Sequence, residues 1–357
     1  MAILQLEIDR LRNLHQVRIE PVPGFNFIIG DNGSGKTSVL EAIHCLGRGK
    51  SFRSHKTNKL IQHGCDAFTV VGHTLQRDHK HVIGMQRSTK GSQIRISGNA
   101  IRSTTELTEL LPIAVLEPGL HRLVEEGPEY RRKFLDWGVF HVEPGFSTSW
   151  KLYSRALAQR NAALRDRWAQ KAVKQWDREL ALAATELDRT RRDYLETLKG
   201  FMARTQDVFS AMPEVSMTYY PGWQEGTDYL DYITHQYESD RDRGFTQFGP
   251  HRADIKFRVE GVETRDVFSR GQQKLLVANL ILSQCLYLQA HDTSVVILVD
   301  DLPAELDPER REELLQALQD TSAQIFVTGT EKALFGGANF SKSGLFHVEH
   351  GSLTRLT

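Results

Sequence analysis

A glycine-rich octet at residues 30 to 37 restricts this chain more than any other feature of its sequence. It reads Gly30-Asp31-Asn32-Gly33-Ser34-Gly35-Lys36-Thr37 and matches the P-loop pattern G-x-x-x-x-G-K-[ST] at every fixed position. In this pattern the glycines let successive backbone N–H groups face phosphate oxygens, the lysine reaches the β- and γ-phosphates, and the threonine hydroxyl ligates Mg²⁺. We therefore predict that all eight residues bind a nucleoside triphosphate, with Lys36 acting in catalysis and Thr37 on the metal.

The flanking sequence supplies the strand and the helix that a P-loop requires. Phe25 to Ile29 is an apolar, strand-like run before the octet, and Ser38 to Ile43 opens a helical pattern after it. A helix N-terminus at this place attracts anions through its free N–H groups and its dipole. A dinucleotide fingerprint is excluded, because no third glycine follows at the required position. The expected cofactors are therefore ATP and Mg²⁺.

Composition excludes several other classes of protein. The 357 residues carry 45 Lys and Arg against 45 Asp and Glu, so any contact with DNA must come from local basic patches. The three cysteines are scattered without a CxxC pair, which argues against a disulfide framework and a structural zinc site. The N-terminus alternates like a strand, and the longest apolar tract, Leu275 to Leu288, is too short and too interrupted to span a bilayer. We expect a soluble, cytoplasmic protein without a membrane partner.

Hydrophobic periodicity divides the chain into an α/β head and an inserted helical arm. Alternating stretches predict strands at Leu4 to Ile8, Phe25 to Ile29, Phe68 to Leu75, His81 to Met85 and Gln93 to Ile96. From about residue 120 apolar residues recur at helical spacing, which predicts two long antiparallel helices around 150–168 and 173–198. We assign residues 1–118 and 245–357 to a split head of mixed sheets with flanking helices, and residues 119–244 to the helical arm.

A second strand ending in acidic residues completes the expected ATP site. Val295 to Val299 is a run of five strand formers, followed by Asp300 and Asp301. A P-loop needs a carboxylate at the end of a neighbouring strand to hold Mg²⁺. We predict that Asp300 is this metal partner and that Asp301 orients or deprotonates the attacking water.

A short turn before the apolar helix at 275–288 resembles the signature motif of ABC-type ATPases. The turn is Ser269-Arg270-Gly271-Gln272, and it lies about 25 residues before the Asp300-Asp301 pair. In ABC-type ATPases this turn binds the γ-phosphate held by a second copy of the head, so the resemblance implies an ABC-type head that dimerises on ATP. Residues 304–307 match the D-loop position of that class, and Phe326 to Thr330 matches its switch strand, with Thr330 near the nucleotide. The usual acid after the metal carboxylate is Glu, and the shorter Asp301 predicts slow hydrolysis.

With these motifs in place, the chain resembles the RecF family, bacterial recombination mediators related to the heads of SMC proteins. The stretches that carry the resemblance are Leu11-Arg12-Asn13-Leu14, Gly49 to Ser54, Pro118 to Asp136 and Asp300 to Asp307. The arm fits as well, since it is near 120 residues and has no CxxC hook, unlike the long coiled coils of SMC and zinc-hook proteins.

The resemblance implies a function that the residues alone do not give. It implies an ATP-dependent homodimer that binds double-stranded and gapped DNA and works with RecR and RecO. It further implies help in loading a recombinase onto single strands, support of the SOS response, and a weak, DNA-stimulated ATPase. Two positions depart from the family pattern. The strand at 113–116 lacks the glutamine that senses Mg²⁺, with Glu117 the nearest polar residue, and Gly119 stands where an acid usually follows Pro118.

Two groups of basic residues are candidates for DNA contact. The first lies just after the P-loop helix, where Arg53, Lys56 and Lys59 follow Arg48 and Lys50. In one interpretation Arg53 contacts the γ-phosphate or DNA, and in the other this run is a solvated surface. The second group lies on the arm helices and contains Arg155, Arg160, Arg165, Arg167, Arg189, Arg191 and Arg192. Arg131 and Arg132 either brace the arm against the head or contact phosphates.

Two rival functions share part of this pattern. A transporter ATPase subunit of the ABC class has the P-loop, the signature and the paired aspartates, but the strand-rich N-terminal lobe and the long insert argue against it. A small-molecule kinase has a P-loop but no use for the turn at Ser269 to Gln272. The DNA-binding repair ATPase is the preferred interpretation, and the transporter subunit is its alternative.

Overall fold

The computed structural model describes residues 2–54, 56–101, 103–206, 208–209, 212–301, 305–330 and 343–356. Their contacts divide the chain into two units. The first unit contains Met1–Leu120, Asp207–Ser210 and Ala278–Thr357, and the second contains His121–Gln206 and Ala211–Val277. Each unit has its own sheet or sheets, and the mixed α/β architecture is the one that the sequence predicts.

An antiparallel sheet forms one layer of the first unit. Its six strands lie in the order β2-β1-β4-β5-β6-β7. Their bounds are β1 Ala2–Leu11, β2 Leu14–Ile19, β4 Ala67–Gln76, β5 His79–Ser88, β6 Gly91–Ile96 and β7 Asn99–Ala100. The alternating stretches at 4–8, 68–75, 81–85 and 93–96 are therefore confirmed as strands.

A second, mostly parallel sheet forms the other layer of this unit. Its order is β15-β14-β3-β13-β12-β8, and only the edge strand β15 is antiparallel to its neighbour. The strands are β3 Phe25–Ile29, β8 Ile113–Leu116, β12 Val296–Val299, β13 Gln324–Gly329, β14 Gly344–Glu349 and β15 Ser352–Arg355. Because the carboxyl ends of parallel strands meet at one edge, the segments after β3, β12, β13 and β8 come together there.

One helix is enclosed between these two sheets. Helix α1, Lys36–Arg48, packs on β1, β4 and β5 of the first sheet and on β8 and β13 of the second. Its apolar residues join side chains of both sheets in one continuous core. A helix that is buried on every side must satisfy each polar group that it carries inside the protein. The short helix α2, Thr105–Leu110, lies against it.

Helices dominate the second unit. They are α3 Arg122–Glu125, α4 Pro128–Val142, α5 Phe146–Arg165, α6 Gln170–Gln206, α7 Tyr229–His235, α8 Tyr237–Arg243 and α9 Thr264–Val267. A three-stranded antiparallel sheet, in the order β11-β10-β9, accompanies them with β9 Ser216–Tyr220, β10 Asp254–Val259 and β11 Val262–Glu263. Helix α10, Arg270–Ala290, begins in the second unit and ends in the first, where α11, Pro308–Gln319, also lies. Among the described residues, no helix combines the length and the apolar character needed to cross a bilayer.

The structure differs from the sequence interpretation at two boundaries. Residues 245–277, which we assigned to the head, belong to the helical unit, because β10 pairs with β9 and packs on α4. Helix α5 ends at Arg165, so Trp168 lies in the link to α6 and is half exposed, although its spacing fitted the helical repeat.

Two of the arm arginines are buried and ion-paired. Arg160 is fully buried and donates to Asp177 at 2.8 Å and to Asp240 at 2.7 Å. Arg191 is also fully buried and pairs with Asp136 at 2.8 Å. These guanidinium groups hold the helices of the second unit together, so neither is available to a DNA phosphate.

Other arginines of the arm are neutralised at the surface or brace the same unit. Arg189 contacts Glu186 at 2.7 Å and Asp193 at 2.8 Å, on its own helix. Arg131 forms a two-bond pair with Asp254, at 2.6 and 3.1 Å, which ties α4 to β10. Arg132 donates to the carbonyl of Ala253 at 2.8 Å. Arg131 and Arg132 therefore brace α4 against β10 and the residue before it within the second unit, and not the arm against the head, which was one of our two interpretations.

We expect Arg160→Ala to destabilise the protein by about 3–5 kcal/mol, because it leaves two buried carboxylates without their cation. Arg189→Ala, on a neighbouring exposed face, should change stability by less than about 0.5 kcal/mol. Urea unfolding of both variants, followed by circular dichroism, measures the difference. Equal stability losses would contradict a structural role for the buried cluster.

Candidate nucleotide-binding site

The P-loop connects β3 to α1 at the carboxyl edge of the parallel sheet. Gly30, Gly33 and Gly35 all have positive φ angles, of 153°, 82° and 124°. A Cβ on Gly30 would lie 2.3 Å from the carbonyl oxygen of Val348, and one on Gly35 would lie 2.8 Å from Leu14. Both the backbone conformation and the lack of space therefore require glycine at these two positions.

The lysine of the P-loop is buried rather than exposed. Lys36 is 4% exposed, and its Nζ donates to the carbonyl oxygens of Gly30 and Asp31 at 2.8 and 3.0 Å. The ammonium group therefore closes the loop on itself. Ser34 Oγ nearby is buried without a hydrogen-bond partner in the described part of the chain. An unsatisfied hydroxyl beside a buried cation suits a phosphate oxygen.

Three side chains from three elements surround the predicted metal position. Thr37 Oγ1, at the start of α1, donates to Asp300 Oδ1 at 2.8 Å. Thr328 Oγ1, on β13, donates to the same oxygen at 3.1 Å. The structure thus brings together the two residues that the sequence assigned to the metal and adds Thr328, which it did not. Hydroxyl and carboxylate oxygens are the ligands that Mg²⁺ prefers, so these residues fit the ion.

The electrostatics of Asp300 also favour a cation. Burial raises the pKa of this carboxyl, and the charge of Asp301 raises it further, whereas hydrogen bonds from Thr37 and Thr328 and the charge of Arg53 lower it. The net direction is upward, so the ionised carboxylate is under-compensated by the protein alone. Among the described residues, no cluster of three or more His, Cys, Asp or Glu side chains could hold a metal by itself. A divalent ion at Asp300 therefore needs further oxygens, such as those of a nucleotide.

Asp301 adopts an unusual backbone conformation. Its φ angle is +47°, and its N–H donates to Thr328 Oγ1 at 2.8 Å. Its Oδ1 is buried and has no hydrogen-bond partner among the residues that the structure describes. A free carboxylate oxygen next to the metal partner is consistent with the predicted role toward water.

Two further positions lie at the same edge of the sheet. Leu116 at the end of β8 pairs with Val299, and its carbonyl accepts from the N–H of Asp300 at 2.8 Å, so Glu117 follows directly at this edge. Thr330 follows β13 and is exposed. Asp307 caps α11 by accepting from the N–H of Arg310 at 3.0 Å, while Ala304 of the D-loop match lies outside the described residues.

The signature turn is an exposed helix N-terminus in the second unit. Ser269 Oγ accepts from the N–H of Gln272 at 3.3 Å, and Gln272 Oε1 accepts from the N–H of Ser269 at 3.0 Å. This reciprocal arrangement is a capping box at the start of α10, with Arg270 and Gly271 exposed between its partners. The cap fixes the turn in a single chain, and its N-terminal N–H groups remain suited to an anion.

The basic run after α1 separates into two parts. The exposed Arg53 is close enough to Asp300 for its charge to act on that carboxyl. Lys56 and Lys59 instead line a groove of about 750 Å³, which we call the cationic groove. Its other lining residues come from the β5–β6 hairpin and the turn at 57–58, namely Arg87, Ser88, Thr89, Lys90, Gly91, Ser92, Thr57 and Asn58. No acidic side chain is among the lining residues.

Comparison with known proteins gives a match along the whole chain. Residues 2–354 match the family described as RecF/RecN/SMC N terminal domain. The chain is 40% identical over 362 residues to the DNA replication and repair protein RecF of Stutzerimonas stutzeri, covering 100% of this chain and 98% of the relative. It is 41% identical over 366 residues to the RecF of Pseudomonas aeruginosa strain LESB58, with the same coverage.

Solved structures show the same relationship. The recombination mediator protein RecF of the RecFOR pathway, in a form with ATP, superposes with a TM-score of 0.88 at 27% identity, covering 99% of this chain and 97% of that one. A second structure of the mediator, RecF-ATPrS, gives a TM-score of 0.87 at 27% identity, with coverage of 100% and 98%. An Smc head bound to the C-winged helix domain of ScpA gives 0.63 at 15% identity, with coverage of 100% and 98%, which shows a shared fold.

We expect Lys36→Ala to reduce ATP affinity by roughly 30-fold or more, since removing one partner of a buried charge contact costs about 2–5 kcal/mol. The same change should lower stability by about 1–2 kcal/mol, because the carbonyls of Gly30 and Asp31 lose their donor. Lys36→Met, which keeps the aliphatic stem, should lose the same affinity with a smaller loss of stability. Nucleotide titration and thermal melting of both variants test this, and normal affinity in a folded variant would refute the P-loop assignment.

Proposed function

This chain belongs to the RecF family of DNA replication and repair proteins, and we propose that it is an ATP-controlled DNA-binding protein of recombinational repair. The observation that carries the proposal is the Thr37–Asp300 contact beside the P-loop, which joins two predicted ligands separated by 263 residues of sequence. Full-length similarity to RecF proteins, including ATP-bound forms, supports ATP as the ligand and an ABC-type ATPase activity. The same similarity argues against the transporter alternative.

The proposed chemistry follows from the residues at the sheet edge. The P-loop N–H groups, Lys36 and Ser34 Oγ would hold the phosphates, and Thr37 and Asp300 would hold Mg²⁺. A bound ion would supply positive charge that stabilises the negative charge of the phosphates. Asp301 accepts a hydrogen bond from the attacking water through its unpartnered oxygen and takes up its proton. Hydrolysis is slow, since a short carboxylate positions the water less well.

We propose that ATP also joins two copies of the chain. The turn Ser269 to Gln272 is exposed, capped and rich in backbone N–H groups, which suits the γ-phosphate of a second copy. The similar RecF structures are described as mediators in the RecFOR pathway, and this supports work with RecO and RecR. Loading of a recombinase and support of the SOS response belong to the same proposal.

The cationic groove is our candidate for DNA contact. Lys56, Lys59, Arg87 and Lys90 line it without an acid, although the chain as a whole has no net charge. Such a groove suits the phosphate backbone of duplex or gapped DNA, which is bound without regard to sequence and in a salt-dependent way. Arg53, whose charge acts on Asp300, is proposed to contact the nucleotide instead of the groove.

Ser269→Arg separates ATP binding from dimerisation. A bulky cation in the turn should block the approach of a second nucleotide-bound copy, while ATP affinity of the single chain changes by less than about twofold. Ser239→Arg, an exposed position elsewhere in the second unit, is the matched control. Sizing by light scattering with ATP and with ADP gives the answer. A Ser269→Arg variant that still dimerises with ATP would disprove the role of this turn.

Replacing two lysines tests the groove. Lys56→Gln with Lys90→Gln should weaken DNA binding for all sequences and reduce the log–log salt slope by about 0.9 for each lost phosphate contact. Lys171→Gln with Lys174→Gln removes the same charge from an exposed part of α6 and should leave the slope unchanged. Fluorescence anisotropy of a labelled duplex across a salt series measures both. Identical slopes for the two double variants would rule out the groove.

Asp301→Asn tests whether ATP hydrolysis controls when DNA is released. The amide should remove water activation while Thr37 and Asp300 still hold the metal, so the variant should retain gapped DNA longer than wild type in ATP. The difference should vanish in ADP. Dissociation of labelled gapped DNA at fixed salt is the measurement. Equal off-rates in ATP, with hydrolysis confirmed absent in the variant, would show that hydrolysis does not control release.

A further inference from the structure

A buried carboxylate on the P-loop helix has no part in the chemistry described so far. Glu41 is fully buried and lies one helical turn after Thr37, on the same side of α1. Arg12 holds it with two parallel bonds, from Nε to Oε2 at 2.8 Å and from an Nη to Oε1 at 2.7 Å. Ser51 Oγ donates to Oε1 at 2.5 Å. All of these residues lie in the first unit, and together Arg12, Glu41 and Ser51 form what we call the Glu41 network.

The hydroxyl of Ser51 uses all of its hydrogen-bonding capacity. It donates to Glu41 and accepts from the backbone N–H groups of Arg53 and Ser54, at 3.0 and 3.1 Å. A hydroxyl has one donor and two acceptor sites, so none is left. Ser51 is itself 1% exposed. The backbone from which the exposed Arg53 side chain projects is therefore set by a group inside the protein.

The turn that supplies Arg12 also contacts the P-loop. Asn13 Nδ2 donates to the carbonyl of Gly33 at 2.9 Å, and Asn13 Oδ1 accepts from Ser38 Oγ at 3.0 Å. The backbone N–H of Arg12 donates to the carbonyl of Leu60 at 2.7 Å, directly after Lys59. The turn thus contacts the phosphate loop at one side and the end of the basic segment at the other.

We propose that Glu41 is a positioning residue, which acts through Ser51 to hold the Arg53 backbone so that the Arg53 guanidinium contacts the terminal phosphate of the nucleotide. The same network links the P-loop to the segment that carries Lys56 and Lys59 into the cationic groove. An ion pair with a buried carboxylate gives little net stability compared with apolar residues of similar size, so stability alone does not account for this arrangement. The inference rests on the proposed function, since it assumes that the P-loop binds ATP.

A double-mutant cycle between Ser51 and Arg53 tests the proposal. The readout is the ratio of the ADP and ATP dissociation constants with Mg²⁺, measured at protein concentrations that keep the chain monomeric. Arg53→Ala should lower this ratio by roughly tenfold, because a charge-assisted bond to the terminal phosphate is lost. Ser51→Ala should lower it by about three- to tenfold, and the double variant should be no lower than Arg53→Ala alone, within about twofold.

Controls separate positioning from general destabilisation. Thr321→Ala removes another buried hydroxyl, which donates to the carbonyl oxygen of Leu318 at 2.7 Å and lies outside the Glu41 network. This variant should leave the ratio of the ADP and ATP dissociation constants unchanged, although it should lower the melting temperature about as much as Ser51→Ala does. Glu41→Gln conserves the side-chain volume but replaces the carboxylate that pairs with Arg12 by a neutral amide. It should therefore lower the ratio of dissociation constants, as Ser51→Ala does.

Three outcomes would overturn the proposal: additive effects of Ser51→Ala and Arg53→Ala, no effect of Ser51→Ala, or no effect of Arg53→Ala. The proposed function has its own test in the same samples, which is ATP-dependent DNA binding by wild type. If wild type fails to bind DNA while the nucleotide ratios behave as expected, the repair function is wrong and the positioning role stands. If wild type binds neither ATP nor ADP, both are wrong.

Discussion

The enclosure of helix α1 between two sheets is the constraint on which the first unit depends. Because no face of this helix reaches solvent freely, its apolar residues join the cores of both sheets and its start is held at a fixed distance from the carboxyl ends of β12 and β13. Thr37 at that start therefore lies in hydrogen-bond contact with Asp300. Hydrophobic packing around α1 therefore fixes where the residues of the phosphate site lie, and the polar contacts adjust their side chains within that arrangement.

Burial of α1 also determines how its ionisable side chains are compensated inside the protein. Glu41 is compensated by Arg12 and Ser51. His44 is 6% exposed, its Nδ1 contacts the carbonyl of Lys50 at 2.6 Å, and burial lowers its pKa to about 3. The neutral His44 and the ion-paired Glu41 thus hold the segment after the helix, at Lys50 and Ser51, against the side of α1. The helix thus shapes the loop that follows it as well as the loop that precedes it.

The sequence predicts what is local and misses what depends on distant neighbours. The P-loop, the strand before Asp300 and the long arm helices follow from spacing within short windows, and the structure contains them all. The burial of Arg160 could not be read in this way, because a charged residue at that position looks like surface until its partners Asp177 and Asp240, far along the chain, are known. Thr328 was missed for the same reason. The burial of Lys36 was missed although its acceptors, the carbonyls of Gly30 and Asp31, lie in its own loop. The boundary near 245 was misplaced, since pairing of β10 with β9 is a contact across more than 30 residues of chain.

The left-handed backbone at Asp301 has a consequence for how hydrolysis-deficient variants are designed. A positive φ is tolerated by Asp, Asn and Gly far better than by most other residues, at a cost of about 1–2 kcal/mol for the latter. An alanine or a glutamate here changes the backbone together with the carboxylate, so its kinetics mix two effects. This backbone conformation also gives a reason why Asp rather than Glu occupies position 301. The positive φ angle favours Asp, and the predicted activation of water then depends on this shorter carboxylate.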